Sequence, residues 1–216
     1  MCPNGNSDLT RNLILQSAIK IISLDGLDAL TAGRLIEEAK ISKGGLYHHF
    51  KTMTDVVSEV LERLAQGIAL RISSYSIPSS KQDFLDQLED QLFDCFITSS
   101  ESSKALFGFI SASANNKNLQ VTLRRLMDEI SFHRLKQLKA VSPGTSHATL
   151  HNTVQIISTL EQGLMNRFFI SGDSASLRCY WRGCRRILEG LLDVEAKMEA
   201  AGDISEIKVT SLAKCQ

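Results

Sequence analysis

Apolar residues recur along almost the whole chain at three- and four-residue spacing, the signature of helices that each bury one face. Two-residue alternation never persists, so the pattern predicts an all-α protein without strands. Leu13, Ile14, Ala18, Ile21 and Ile22 share one face of a first helix over 8–24, with Asp8 or Thr10 as its cap and Gly26 ending it. Thr31 is placed to cap a second helix bearing Leu35, Ile36 and Ala39. Ser42 is placed to cap a short third one over 43–50, after a tight turn at Lys40 and Ile41. Helix, tight turn, helix is the unit that lays its second member in a DNA major groove.

Thr52 followed by Asp55 reads as a capping box opening a fourth helix to residue 74, with Val56, Val57, Val60, Leu61, Leu64 and Ile68 inward. The segment 76–80 breaks the pattern. Further helices are expected over 81–99, 102–114, 117–141, 146–171 and 174–200, separated in part by Pro143-Gly144 and Gly172-Asp173. The total is about nine. The expected division is a three-helix head, 1–54, and a larger helical domain, 55–216, joined through the fourth helix rather than through a flexible linker.

Composition excludes more than it selects. The 216 residues are 43% hydrophobic and carry no formal net charge, so any affinity for nucleic acid must be local. No acidic residue lies between Glu38 and Asp55, and that interval holds Lys43, Lys51, Tyr47, His48, His49, Gly44 and Gly45. The lysines can neutralise phosphates, the glycines permit close main-chain approach, and the ring side chains offer donors to phosphates or base edges. Protonated imidazoles at His48 and His49 would add to phosphate attraction. Leu46 and Phe50 are spaced to be core.

Five cysteines, Cys2, Cys95, Cys179, Cys184 and Cys215, are scattered without CxxC spacing, which argues against a disulfide scaffold or a zinc ribbon. No stretch reads as a secretory signal or a bilayer span, so a cytoplasmic location with free thiols is expected. His147 and His151 share a helix face that His133 could approach, but no acid or cysteine accompanies them, and no metal or other cofactor is expected. Arg178, Arg182, Arg185 and Arg186 form a basic stripe beside Cys179 and Cys184. It is expected to be a solvated or intersubunit face paired with acids such as Glu189 or Glu161, in preference to an anion site or a device that activates Cys184. No nucleophile-base set, phosphate-binding glycine loop or paired catalytic carboxylates can be recognised, so the chain is not read as an enzyme.

Arg11, Ile14, Leu15, Ala18, Gly26, Thr31, Leu35, Ala39, Ile41, Ser42, Lys43, Gly44, Leu46, Tyr47, His49 and Phe50 together resemble the DNA-binding head of the tetracycline-repressor-like (TetR) family. The remainder resembles that family in length, helical character and helix number. The resemblance implies a homodimeric regulator, most simply a repressor, that reads a palindromic double-stranded DNA operator and is released by a small-molecule effector. It implies phosphate contacts from Thr31, Lys43, Tyr47, Lys51 and the amides around Gly44, and places Gly45, His48 and His49 near base edges. Dimerisation would use the last two long helices, and the effector pocket would lie among the middle helices, bordered by some of Phe93, Phe96, Phe107, Met127, Met165 and Phe169.

Four positions depart from the family pattern. Ile36 and Lys40 replace a usual alanine and glycine, Gly45 a frequent threonine or serine, and Met53 a lysine that typically meets phosphate. Ile36, Lys40 and Met53 sustain one alternative, a helical small-molecule-binding or carrier protein with a vestigial DNA-binding head.

Overall fold

The computed structural model of the chain describes residues 4–95 and 100–200, with side chains from 7–95 and 100–193. The described residues form nine α-helices and no strand: α1 (Asn4–Asp25), α2 (Ala32–Ala39), α3 (Lys43–His49), α4 (Met53–Ser74), α5 (Lys81–Phe93), α6 (Ser100–Ser113), α7 (Lys117–Val141), α8 (His147–Ser171) and α9 (Ser174–Ala200). One 3₁₀ turn, Leu27–Ala29, intervenes between α1 and α2.

Most boundaries follow from side-chain chemistry. Thr31 and Ser42 accept the amides of Arg34 and Gly45, and Thr52 and Asp55 exchange both bonds of a capping box. Gly172 ends α8 in the left-handed region at φ 66°. Two boundaries differ from the periodicity. The first helix starts at Asn4, so Asp8 and Thr10 lie inside it rather than capping it. Once packing anchors the turn that leads to Ile14, each upstream residue is ordered at the cost of one residue for one backbone bond. The fifth helix stops at Phe93 in a π-type turn at Asp94 and Cys95, short of residue 99. Asp94 is held there by Arg71 at 3.0 Å, and the Cys95 carbonyl accepts the Ser103 hydroxyl at 2.7 Å. Side-chain tethers of this kind are invisible to local periodicity.

Two hydrophobic cores result. The first gathers Ile14, Ala18 and Ile22 of α1, Leu35, Leu46, Phe50, and Val56, Val60 and Leu64 of α4. It continues into Ala105 and Phe109 of α6 and Leu119 and Leu123 of α7. The head is therefore seated on α6 as well as carried by α4. Gly108 makes this possible, since a Cβ there would lie 3.3 Å from Ile22 Cγ2. The second core joins Phe84, Leu88, Leu138, Leu150, Ile157, Trp181 and Leu188 from α5, α7, α8 and α9. Each fully buried large side chain contributes about 1.5–3 kcal/mol, so both cores are substantial. Ile68, expected inward, is only half-buried, because it faces a cavity between the cores.

Candidate nucleic-acid interface and effector cavity

The turn between α2 and α3 is set by Lys40, the one non-glycine residue with positive φ (52°) among those described. Its amide closes on Glu37 and Ile36, and the Ile41 amide reaches back to the Ile36 carbonyl at 3.2 Å, the two-bond pattern of a Schellman cap. Lysine pays a steric cost there that glycine would not, and in return an exposed cation stands at the turn. Ile36, Ile41 and Met53 pack on the first core, so the bulkier Ile36 is accommodated inside the head.

α3 is anchored by Leu46, fully buried, and by Phe50 just beyond its end. Leu46 and Phe50 are four residues apart and face inward together, which turns Lys43, Gly44, Tyr47 and His48 to solvent. Gly45 and His49 are half-buried at the edge of that face, and Thr31 and Lys51 are exposed at its flanks. All eight sequence-derived contact positions are thus exposed or half-buried. Lys40, Lys43 and Lys51 form no ion pair among the described residues. Neighbouring charges, by contrast, are neutralised: Lys20 with Glu38 at 2.6 Å and Arg34 with Asp25. Cations without an ion pair among the described residues thus stand on α3 and at both its ends.

Arg11 holds α3 in place. Its Nε donates to Glu59 Oε1 at 2.8 Å, and Nη2 pairs with the second Glu59 oxygen. Nη1 donates to the His49 carbonyl at 3.2 Å, and the guanidinium lies 4.6 Å from the Phe50 ring centre. One side chain of α1 thereby fixes the end of α3 and the start of α4.

Between the two cores lies a cavity of about 420 Å³, bounded by α4, α5, α6, α7 and α8. Of the aromatic and methionine side chains expected to border it, Met127 and Met165 do. The others do not. Phe93 packs on the second core under the Arg178 guanidinium, and Phe107 meets Phe169 at 5.3 Å between ring centres. Phe96 lies outside the described residues. Aliphatic side chains line the cavity instead, Leu92, Leu106, Ile110, Leu123 and Leu126 among them, together with a polar group that residue type alone did not suggest: Arg71, Gln91, Arg134 and Glu161. A signal was available. Gln87 and Gln91 on α5, and Arg134 and Gln137 on α7, interrupt otherwise apolar faces at helical spacing. They join across the helices, Gln137 to Gln87 at 3.2 Å and Arg134 to Gln91 at 3.1 Å.

The arginine stripe of α9 divides. Arg185 alone pairs with Asp86, Glu89 and Glu189, while Arg178 covers Phe93. Glu161, expected among the stripe's partners, instead pairs with Arg134 at 2.6 Å, because α8 turns it towards α7. Burial pushes the Cys184 thiol above its ordinary range, opposite to what an activated sulfur requires. Cys2 and Cys215 lie outside the described residues. His147 and His151 are exposed near the start of α8, and no metal-competent cluster of three ligands occurs among the described residues. Nor is any described helix long and apolar enough to cross a membrane.

Residues 14–60 match the family model described as bacterial regulatory proteins, tetR family. The HTH-type transcriptional regulator AcrR of Shigella flexneri is 34% identical over 53 residues, a match that spans 24% of this chain and 25% of that relative. Likeness to solved structures extends over most of the chain. A TetR transcription regulator from Haloarcula marismortui aligns with TM-score 0.72 at 15% identity, covering 87% of this chain and 98% of its own. Salmonella enterica GusR aligns with TM-score 0.70 at 14% identity over 86% and 96%. A protein from Saccharomonospora viridis solved in complex with choline gives 0.71 at 14% identity, again over 86% and 96%. At such identities the structures speak for the fold, whereas the matched head carries the family's own residues. Residues 14–60 thus form a helix-turn-helix head of the bacterial tetR regulatory-protein type, set on a nine-helix fold shared with a TetR transcription regulator.

Proposed function

We propose that the protein is a ligand-responsive DNA-binding transcriptional regulator, acting as a repressor: a homodimer that reads a palindromic operator with α3 in the major groove and is released when a small molecule fills the cavity. The observation that carries this reading is the outward face of α3, where Lys43, Gly44, Tyr47 and His48 are exposed and Lys40, Lys43 and Lys51 form no ion pair among the described residues. Lys43, Tyr47, Lys51, Thr31 and the Gly44 amide are the phosphate contacts, while Gly45, His48 and His49 approach base edges. Lys40 joins the phosphate set.

Dimerisation is assigned to α8 and α9. Ile156, Gly163, Arg167 and Ile170 on α8 fall on one helical face, as do Tyr180, Gly183 and Ile187 on α9. Arg167 lies 4.6 Å over the Tyr180 ring and links the two stripes. Ile170 is 87% exposed and Ile187 62%, more apolar surface than a solvated helix pair leaves uncovered. Release follows from α4, which carries Glu59 at the head and Arg71 at the cavity. A ligand that prefers one placement of Arg71 prefers one placement of α4, and only such a difference in affinity can regulate. The setting is the cytoplasm, where an operator is accessible.

The test is selection of bound sequences from random duplex DNA with the full chain, followed by a salt titration. Selection of a two-fold symmetric site, with affinity falling steeply with salt and with alanine at Lys43 and Tyr47, is expected. Salt-insensitive binding, or none, would refute the reading in favour of a carrier with an idle head.

A further inference from the structure

Two side chains that wall the cavity, those of Arg134 and Gln91, each keep a buried donor nitrogen with no acceptor among the described residues. Arg134 is 3% exposed and Gln91 6%. The arginine directs Nη1 to Glu161 at 2.6 Å and Nη2 to the Gln91 carbonyl at 3.1 Å, which leaves its Nε without an acceptor. Because the Gln91 oxygen is taken by a guanidinium, its amide orientation is decided, and Nε2 is left as the second buried donor without a protein acceptor. Unmet donors at such depth are rare in folded chains and point to a partner that completes them.

The rest of the wall states what that partner must look like. Leu92, Leu106, Ile110, Leu126 and Met165 are aliphatic, so the body of the ligand is apolar. Both carboxylates near the cavity are already committed, Glu161 to Arg134 and Asp94 to Arg71 at 3.0 Å. No aromatic side chain is found among the described residues of the lining. Among the described residues a cationic headgroup therefore meets no unpaired carboxylate and no ring face.

We infer that the ligand of this cavity is an aliphatic molecule carrying an oxygen acceptor, a carboxylate or a carbonyl, which accepts from Arg134 Nε and Gln91 Nε2. The inference deepens the effector reading above and rests on it. In a medium of low dielectric an acceptor that meets both donors is strongly preferred over a donor-only or cationic head.

Calorimetry on the full chain, with decanoate, 2-undecanone and decyltrimethylammonium below their aggregation concentrations, tests the class. Decanoate or 2-undecanone is expected to bind at least about tenfold more tightly than the ammonium probe. Binding by both oxygen probes assigns the site to a carbonyl acceptor, and binding by decanoate alone to an anion. Gln91→Glu keeps the acceptor for Arg134 but replaces the free donor by an anion, so it should lower decanoate affinity about tenfold or more and raise that of the ammonium. Gln91→Met serves should the charged variant fail to fold, with loss of oxygen-probe affinity expected. Met165→Trp, which fills the cavity, should abolish binding of every probe. Equal binding of the three probes, preference for the ammonium, or no binding of any probe overturns the proposed class. Binding that survives Met165→Trp instead removes the ligand from this cavity and the effector reading fails with it.

Discussion

Replacing Arg11 by alanine removes a clamp, and its effect can be worked from the contacts. The Glu59 pair is bidentate, but the side chains are 41% and 30% exposed, so solvent screening limits it to about 0.5–1 kcal/mol. The bond to the His49 carbonyl, at the carboxyl end of α3, contributes about 0.5–1.5 kcal/mol, and the guanidinium over Phe50 about 0.5–1 kcal/mol. All three belong to one side chain and are not additive, so Arg11→Ala should destabilise by about 1.5–2.5 kcal/mol. The assay is urea unfolding followed by far-ultraviolet circular dichroism at fixed protein concentration, since the stability of the proposed dimer would depend on it. Arg11→Lys keeps the charge but not the fork, and should recover less than half of the loss. Affinity for the selected DNA should fall in the alanine variant under conditions where it is fully folded, because the end of α3 is no longer tied to α1 and α4. An Arg11→Ala variant within ~0.5 kcal/mol of the parent, the scatter of ordinary surface changes, with unchanged DNA affinity would refute the clamp.

Three further outcomes are expected. Lys40→Gly relieves a left-handed lysine and should stabilise by about 0.5–1 kcal/mol in the same unfolding assay, while removing one phosphate partner should lower the log-log salt slope of DNA binding by about one unit. Cys184, its thiol raised by burial, should be alkylated by iodoacetamide at neutral pH no faster than free cysteine, and Cys95, raised for the same reason, should be slower still. Asp83 is lowered chiefly by hydrogen bonds from Ser79, and Asp173 chiefly by those from Ser176 and Ala175. For carboxyls lowered in the folded state, the stabilisation is present above the ordinary value of 3.8 and is lost as pH falls from there through the lowered folded-state value, so Asp83→Asn with Asp173→Asn should flatten the acid limb of a stability-against-pH curve below 3.8 and leave its shape near neutrality unchanged.

Local chemistry accounts for what could be read along the chain. Thr31, Ser42, Thr52 with Asp55, and Gly172 mark helix ends through bonds made within a few residues, so their roles are legible without neighbours in space. Periodicity likewise picks out Leu46 and Phe50 as the buried side of α3, and with them the exposed identity of Lys43, Tyr47 and His48. The early start of α1 and the π-type turn at Asp94 escaped such reasoning, because packing and the Arg71 tether decide them.

The cavity shows the limit most clearly. Phe93, Phe107 and Phe169 are the residue types that wall pockets, yet they equally fill cores and pair with each other, and nothing in their spacing separates the two fates. Which helix faces meet is settled by long-range packing: α1 against α6 at Gly108, α5 against α7 through paired glutamines, and α7 against α8 through Arg134 and Glu161. Sequence alone determined the all-helical class, the order of the elements and the chemistry of the reading helix, since each is written in intervals of three or four residues. Tertiary structure alone decided that Arg11 ties α3 to α4, that one core runs from the head into α6 and α7, and that Arg134 and Gln91, each with a buried unpartnered donor, wall one cavity. Those contacts join residues dozens of positions apart, and only the closing of the chain on itself brings them within bonding distance.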